Sequence, residues 1–274
     1  MQDRQIVFIG GLHKSGTSLL FRCLRDHPHV SAFGNTGVPE DEGQHLQSVF
    51  PPAKAFGGPG LFGFSSGAAL DETSPLITPA NRDKLWAEWC RHWDTDRPVL
   101  LEKSPPNLVR GRFLQALFPG AAFIMVRRHP VAVSYATRKW KRLPVARLID
   151  HWLVSHERYW HDKPSLQRVL DIRYEDLVSQ PEMTLRRIFD FVGLPPVPPR
   201  QTIRADADAP YFAQWRADAR GPWRWLRRRM LLLTRERRVR HFGYSLYSER
   251  PLPVDHDPEP NTHPRPEKDQ AGNS

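Results

Sequence analysis

The sequence predicts an α/β fold, a mainly parallel sheet flanked by helices in a single domain over residues 1–250. Three observations carry this expectation. Strand-like and helix-like segments alternate through the first 200 residues, the pattern of a parallel sheet with covering helices. The first apolar run passes through a glycine-containing loop into a helical segment. A chain of 274 residues is also long enough to close one large core, although two small domains would fit the same length.

In chain order, Gln5–Gly10 (QIVFIG) is the first strand, and Ser18–His27 (SLLFRCLRDH) puts Leu19, Leu20, Cys23 and Leu24 on one helical face. Residues 31–74 are rich in Gly, Pro and polar side chains, and a loop that long is a lid, a binding segment or disordered. Thr78 followed by Pro79 predicts an N-cap and first helical position, opening a helix towards Trp93. The hydroxyl can satisfy a free amide, and proline lacks an N–H that would go unpaired there anyway. Val99–Glu102 is the second strand, with Ser104–Pro105 capping the helix after it. Ala121–Val126 is the third, with Pro130 opening another helix, and Val169–Arg173 is the fourth. Pro181–Val192 is an amphipathic helix closed by Gly193, whose missing Cβ permits a left-handed C′. Beyond Pro195 the pattern weakens, and Pro251–Ser274 is a Pro-rich polar tail expected to be disordered. No internal repeat is visible.

Composition narrows the function classes. A hydrophobic fraction of 39% with 27 prolines leaves part of the chain irregular. No window approaches the roughly 18 uninterrupted apolar residues of a membrane span. Met1–Arg4 leads straight into the first strand without a charged-then-apolar leader. Cys23 and Cys90 lack a partner motif and fit buried thiols in a reducing compartment. These features predict a soluble, cytoplasmic protein. The formal charge of +10 is uneven: residues 200–250 hold 13 Lys and Arg against 5 Asp and Glu. Such a concentration suggests an anionic partner, whether a phosphate-rich cofactor, a nucleic acid or a membrane surface.

The stretch Gly11-Leu-His-Lys-Ser-Gly-Thr-Ser18 joins strand to helix, where backbone amides and the helix dipole suit a phosphate. Gly11 and Gly16 keep the spacing of a nucleoside-triphosphate loop, G-x-x-x-x-G-K-[ST], so the loop is P-loop-like. Thr17 nevertheless stands at the lysine position, and the lysine sits inside the loop as Lys14. There it lies beside the phosphate nearest the strand end, where a 5′-phosphosulfate fits.

Lys14-Ser15-Gly16-Thr17-Ser18 resembles the 5′-phosphosulfate loop of sulfotransferases that use 3′-phosphoadenosine 5′-phosphosulfate (PAPS), of the form [K/R]-S-G-T-[ST]. The resemblance covers roughly residues 5–194 and implies a P-loop-like fold of the bacterial or carbohydrate type. It implies that Lys14, Thr17 and Ser18 hold the 5′-phosphate, with Ser15 and Gly16 in the same loop. Ala121–Val133 (AAFIMVRRHPVAV) resembles the family's 3′-phosphate element, with Arg128 as its bidentate arginine. The serine expected eight residues later is Ala136 here, leaving Ser134 and Thr137 as substitutes. Val169–Leu177 resembles the strand ending in R-Y-E-D-L, which implies Tyr174 near the adenine and Glu175 and Asp176 as loop supports. Leu100–Asn107 resembles the E-K-S segment, in which Lys103 approaches the transferring sulfuryl group, at the strand edge where such sheets bind ligands.

Sulfuryl transfer resembles phosphoryl transfer, needing charge stabilisation and a base for the acceptor. The acidic segment Pro39-Glu-Asp-Glu-Gly-Gln-His45 supplies the candidates: Glu42 first, with Glu40 and His45 as alternatives. The leaving phosphate is held by Lys14 and amides, and no H-x-x-x-H, C-x-x-C or clustered carboxylate set appears, so no metal is expected. The product would be 3′-phosphoadenosine 5′-phosphate (PAP), and the acceptor a small molecule, carbohydrate or lipid. Arg220-Gly221 is a candidate late loop over the 3′-phosphate. Trp223, Trp225, Leu226 and the Met230–Leu233 run form a candidate peripheral membrane contact over 223–233. A P-loop kinase or phosphotransferase is the alternative reading. A nucleic-acid-binding protein is a further one, although its base contacts have no recognisable module and no specific nucleic acid is expected.

Overall fold

In the computed structural model, which describes residues 4–253 and 261–262, a sheet runs in the order β2-β3-β1-β4-β5-β6. Its strands are β1 (Gln5–Gly11), β2 (Val30–Ala32), β3 (Val99–Lys103), β4 (Ala122–Arg127), β5 (Arg168–Arg173) and β6 (Asn261–Thr262). The first five are parallel, and β6 pairs antiparallel with β5. The four expected strands are present within a residue or two, while β2 and β6 carry too short a pattern to be read. Most of the expected disordered tail, 254–260 and 263–274, lies outside the described residues.

The central strands are apolar throughout because both faces are covered. Ile6, Phe8, Leu100, Phe123 and Met125 face one core, and Val7, Ile9, Leu101, Ile124 and Ile172 face the other. The second core is closed by helices α1 (Thr17–Arg25) and, late in the chain, α7 (Pro181–Val192), through Leu20, Leu24, Leu185 and Ile188. Between these two helices come α2 (Pro79–Cys90), α3 (Gly111–Leu117), α4 (Pro130–Arg138), α5 (Val145–Asp162) and the short α6 (Tyr174–Ser179). After α7 come α8 (Ala209–Ala217) and α9 (Pro222–His241). Helices α4 and α5 cover the first core with Val131, Tyr135, Ile149, Trp152 and Leu153. From β1 the chain leaves to one face through α1, and from β4 to the other through α4. The two strands are neighbours, so a crevice opens between their C-terminal ends, the usual ligand position in an open α/β sheet.

Local signals behave as their chemistry requires. Thr78 Oγ1 accepts the Asn81 amide at 3.1 Å, and Gly193 takes φ 80° to end α7 with its N–H donating to Phe189 O. Ser104 does not cap a helix. A 3₁₀ turn follows it, Pro105–Val109, and its hydroxyl donates instead to Glu102 while accepting the Gln44 amide at 2.9 Å. The 31–74 segment is a packed layer of short 3₁₀ turns that buries Phe33, Val49, Phe50, Phe62 and Ala68 on the first core. Side chains pay its polar accounts: Arg110 donates to Ala68 O and Pro51 O, both at 2.9 Å, and Gln44 accepts the Ala53 amide.

Candidate functional site

The loop after β1 is shaped by its two glycines. A Cβ on Gly11 would meet Val126 O at 2.5 Å, and one on Gly16, at φ 103°, would meet the Tyr174 ring at 2.4 Å. Gly16 lets the chain turn into α1 with no side chain capping the helix, leaving first-turn amides free for an anion. The Ser15 hydroxyl is fully buried in the loop and has no partner. Lys14 itself sits at φ 69°, its Nζ 3.4 Å above the Trp140 ring, and desolvation pulls its pKa down.

Arg128 closes the other side. Arg127, one residue earlier in the strand, is turned away towards Trp160 and Tyr244, so the alternation of a strand sends Arg128 to the crevice. Its guanidinium lies 4.1 Å from the Tyr174 ring centroid, donates to Lys14 O at 2.6 Å and is ion-paired with Asp208. Tyr174 therefore stacks between Gly16 and Arg128. Glu175 supports from behind, accepting the His129 amide at 2.8 Å and the Tyr244 hydroxyl at 2.9 Å.

The acidic segment folds over the same edge. Glu40 and Asp41 adopt left-handed backbone, φ 54° and 50°, which curls the chain so that the Glu42 carboxylate and the Glu40 carbonyl both meet Lys103. Lys103, 0% exposed at the end of β3, donates to Glu42 Oε1 at 3.2 Å and to Glu40 O at 2.9 Å, with Ser18 Oγ at 3.5 Å. Gln44 Nε2 donates to the other Glu42 oxygen, and Ser18 Oγ donates to Glu40 Oε2 at 2.9 Å. His45 Nε2 is 3.9 Å from Glu42, and desolvation lowers its pKa. Beneath this network Glu102, its pKa pushed up to about 7 by burial, holds Ser104 and Asn107 and packs on Gly43.

A cleft of about 380 Å³ joins these parts, lined by Lys14, Gly16, Thr17, Ser18, Glu40, Glu42, Arg128 and Tyr174. Lys103 lies just under its floor, and Ser15 is buried inside the loop. Ser134 does not line it: it borders a small void of about 10 Å³ with Thr137, Leu148 and His151, which adjoins the cleft only through His13, and its hydroxyl has no partner among the described residues. Sequence reasoning missed His13, Arg22, Trp140, Arg204 and Asp208. Of these, His13 and Arg22 had a signal, lying inside the loop and one helical turn after Ser18. Desolvation pushes the His13 pKa down to about 3. Among the described residues no group of His, Cys, Asp and Glu could hold a metal ion, and no helix is long and apolar enough to cross a membrane.

A parallel sheet flanked by helices, with an uncapped glycine loop at its switch point faced by an arginine and a buried Lys–Glu pair, defines an α/β fold whose free amides and cations converge on one cleft. The chain belongs to the sulfotransferase family, whose model matches residues 6–199. It is 26% identical over 208 residues to the protein-tyrosine sulfotransferase 2 of Gallus gallus, covering 70% of this chain and 52% of that one. A Drosophila melanogaster protein-tyrosine sulfotransferase is 24% identical, with 71% and 39% covered. The chain thus spans about half or less of the length of these curated relatives. Its fold is that of the sulfotransferase domain of the Synechococcus PCC 7002 olefin synthase, with TM-score 0.56 and 19% identity, covering 90% of this chain and 98% of that one. The sulfotransferase domain from the curacin biosynthetic pathway is similar too, with TM-score 0.52, 17% identity, and 89% and 99% covered.

Proposed function

We propose that the protein transfers a sulfuryl group from PAPS to a hydroxyl or similarly weak nucleophile, releasing PAP. The observation that carries this reading is the placement of a buried Glu42–Lys103 pair, 3.2 Å apart, at the edge of the cleft that the 14–18 loop and Arg128 also line. When bound, PAPS supplies an activated sulfuryl group whose leaving group is a phosphate. The residues fit such a donor: Ser15 offers an unpartnered hydroxyl, the first turn of α1 offers free amides, and Arg128 carries an exchangeable carboxylate.

In this mechanism Lys14, Thr17, Ser18 and the loop amides hold the 5′-phosphate end, and Arg128 exchanges Asp208 for the 3′-phosphate. Tyr174 forms the wall beside the adenine. Glu42 takes the acceptor's proton. Its two carboxylate oxygens are held by Lys103 and Gln44, so one orientation is enforced before the acceptor arrives. Lys103 supplies positive charge from beneath Ser18 and Glu42, balancing negative charge that grows in the cleft. Glu40 and His45 remain the alternative bases within the same segment. No metal takes part, so turnover should survive excess chelator, and a metal-reversible loss would favour the phosphotransferase reading. The acceptor is a small molecule, carbohydrate or lipid. The hydroxyl class agrees with the protein tyrosine that two relatives carry in their names.

Titration calorimetry with PAP and adenosine monophosphate tests the donor. Because Arg128 would answer a phosphate that the monophosphate lacks, PAP should bind about a hundredfold more tightly, the scale of a buried charge-assisted pair. Equal binding of the two nucleotides overturns the PAPS assignment.

A further inference from the structure

Helix α9 reads PWRWLRRRMLLLTRERRVRH, with eight arginines and a single glutamate. Its inward face is narrow: Leu231, Leu232 and Val239 enter the core. Arg235 pairs with Asp150 at 2.8 Å and Arg238 with Glu157 at 2.8 Å, which ties the helix to α5. The opposite face is the anomaly. Trp223, Leu226, Met230 and Leu233 recur at helical spacing and are 79, 44, 54 and 65% exposed. An amphipathic helix ordinarily turns its large apolar stripe inwards, and this one carries a second stripe outwards.

The helical phase puts Arg227 on one flank of that stripe, Arg229 on the other and Arg237 at its C-terminal end. Among the described residues none of the three has a carboxylate partner. The lone acid, Glu236, is turned inwards, accepting from Ser245 Oγ and the Leu246 amide. Beside the stripe lies an open groove of about 850 Å³ lined by apolar Val145, Ala146, Trp215 and Leu231, with Arg228 and an Arg138–Asp218 ion pair at 3.2 Å also lining it.

We propose that α9 docks this protein on an anionic lipid surface, the apolar stripe entering the headgroup boundary and the flanking arginines meeting lipid phosphates and carboxylates. A tryptophan at one end of the apolar stripe, cations of one sign along it and no outward acid on the helix match such a surface. A second copy of the chain fits poorly, since like-charged arginine rows would face each other across the contact. This surface is separate from the cleft, and the inference stands whatever the cleft binds.

Co-sedimentation of the full chain with vesicles tests it. At physiological salt, binding to mixed phosphatidylcholine–phosphatidylserine vesicles should exceed binding to pure phosphatidylcholine vesicles by about a hundredfold, since each of three cations contributes about fivefold. Replacing Arg227, Arg229 and Arg237 together by Gln should remove that difference. Trp223→Ser with Leu233→Ser should abolish binding while every charge is kept, which separates insertion from simple charge attraction. On the unmodified protein, brominated lipid in the mixed vesicles should quench tryptophan fluorescence, a readout that needs no variant to fold. Equal binding to both vesicles, full binding by the double Ser variant, or no quenching overturns the proposal. So does a dimer in analytical ultracentrifugation that the double Ser variant dissolves, because the stripe would then be a contact between copies.

Discussion

The cleft and helix α9 are both dense in charge, and they use it in opposite ways. In the cleft Glu42 and Lys103 are buried and bonded at 3.2 Å, with Gln44, Ser18 and the Glu40 backbone completing their shells. On α9 Arg227 and Arg229 stand in water beside exposed Trp223 and Met230. A buried charge must be paired and hydrogen-bonded, so each such group depends on its partners' positions and removing one strands the other. An exposed cation is solvated by water and adds little to folding. Substitutions in the cleft should therefore register in chemistry and stability, and substitutions on the outer face of α9 only in what the helix touches.

The largest effect should come from Glu42→Gln. A missing general base costs on the order of a hundredfold to ten-thousandfold in rate, so turnover should drop by that much while PAP affinity by calorimetry stays nearly constant. If Glu40→Gln or His45→Ala loses turnover instead, the base lies elsewhere in the same turn. If all three stay active, the 39–45 segment is a lid. Next, Lys103→Met should lower stability by about 3–5 kcal/mol in urea unfolding, because Glu42 is left buried and unpaired. The same change at Arg227 should stay within about 0.5 kcal/mol. Equal effects at the two sites would erase the contrast.

Acid should act through the buried interior and not through α9. Burial pushes His151 and His156 down to about 3 and His129 down to about 4, against an ordinary value of 6.5. Below pH 6.5 the unfolded chain binds more protons at these positions than the folded one. Stability therefore rises with pH across the window from about 4 to 6.5, by about 1.4 kcal/mol per pH unit for each histidine. Glu102, raised to about 7, binds its proton more tightly when folded and opposes this trend between about 4.5 and 7. Glu102→Gln should then steepen the acid loss seen in thermal melts at stepped pH. Gly16→Ala should cost about 1–3 kcal/mol, since a side chain at φ 103° is strained and its Cβ displaces the Tyr174 ring. PAP affinity should fall with it. Smallest of all, Trp223→Ala should move the unfolding free energy by less than about 0.5 kcal/mol.

The 11–18 loop was legible because its chemistry is local: two glycines, a lysine inside the loop and three hydroxyls lie within eight residues, and covalent spacing determines how they meet. The caps at Thr78 and Gly193 were legible for the same reason. Helix α5 was not read from the sequence, although Leu148, Ile149, Trp152, Leu153 and His156 recur at helical spacing and carried the signal. Helix α9 did not read as a packed element, because its inward stripe is thin and its exposed side is apolar as well. The 31–74 segment read as loop because its turns lack a period, although its aromatic residues are buried by the sheet face that receives them.

The alternation of strands and helices along the chain, the loop glycines and the charged residue types follow from the sequence alone, because hydrophobic runs, missing Cβ atoms and spacing act over a few residues. Lys103 meets Glu42 across 61 residues and Ser18 across 85, and Arg128 meets Asp208 across 80. Those meetings were decided by the tertiary structure. Parallel pairing of β3 and β4 on either side of β1 brings three distant strand ends to one crevice, and burial there admits only charges that have found partners. The place of Ser134 was settled in the same way: α4 is buried all round from Pro130 to Thr137, and its packing puts that residue beside α5 and off the cleft lining.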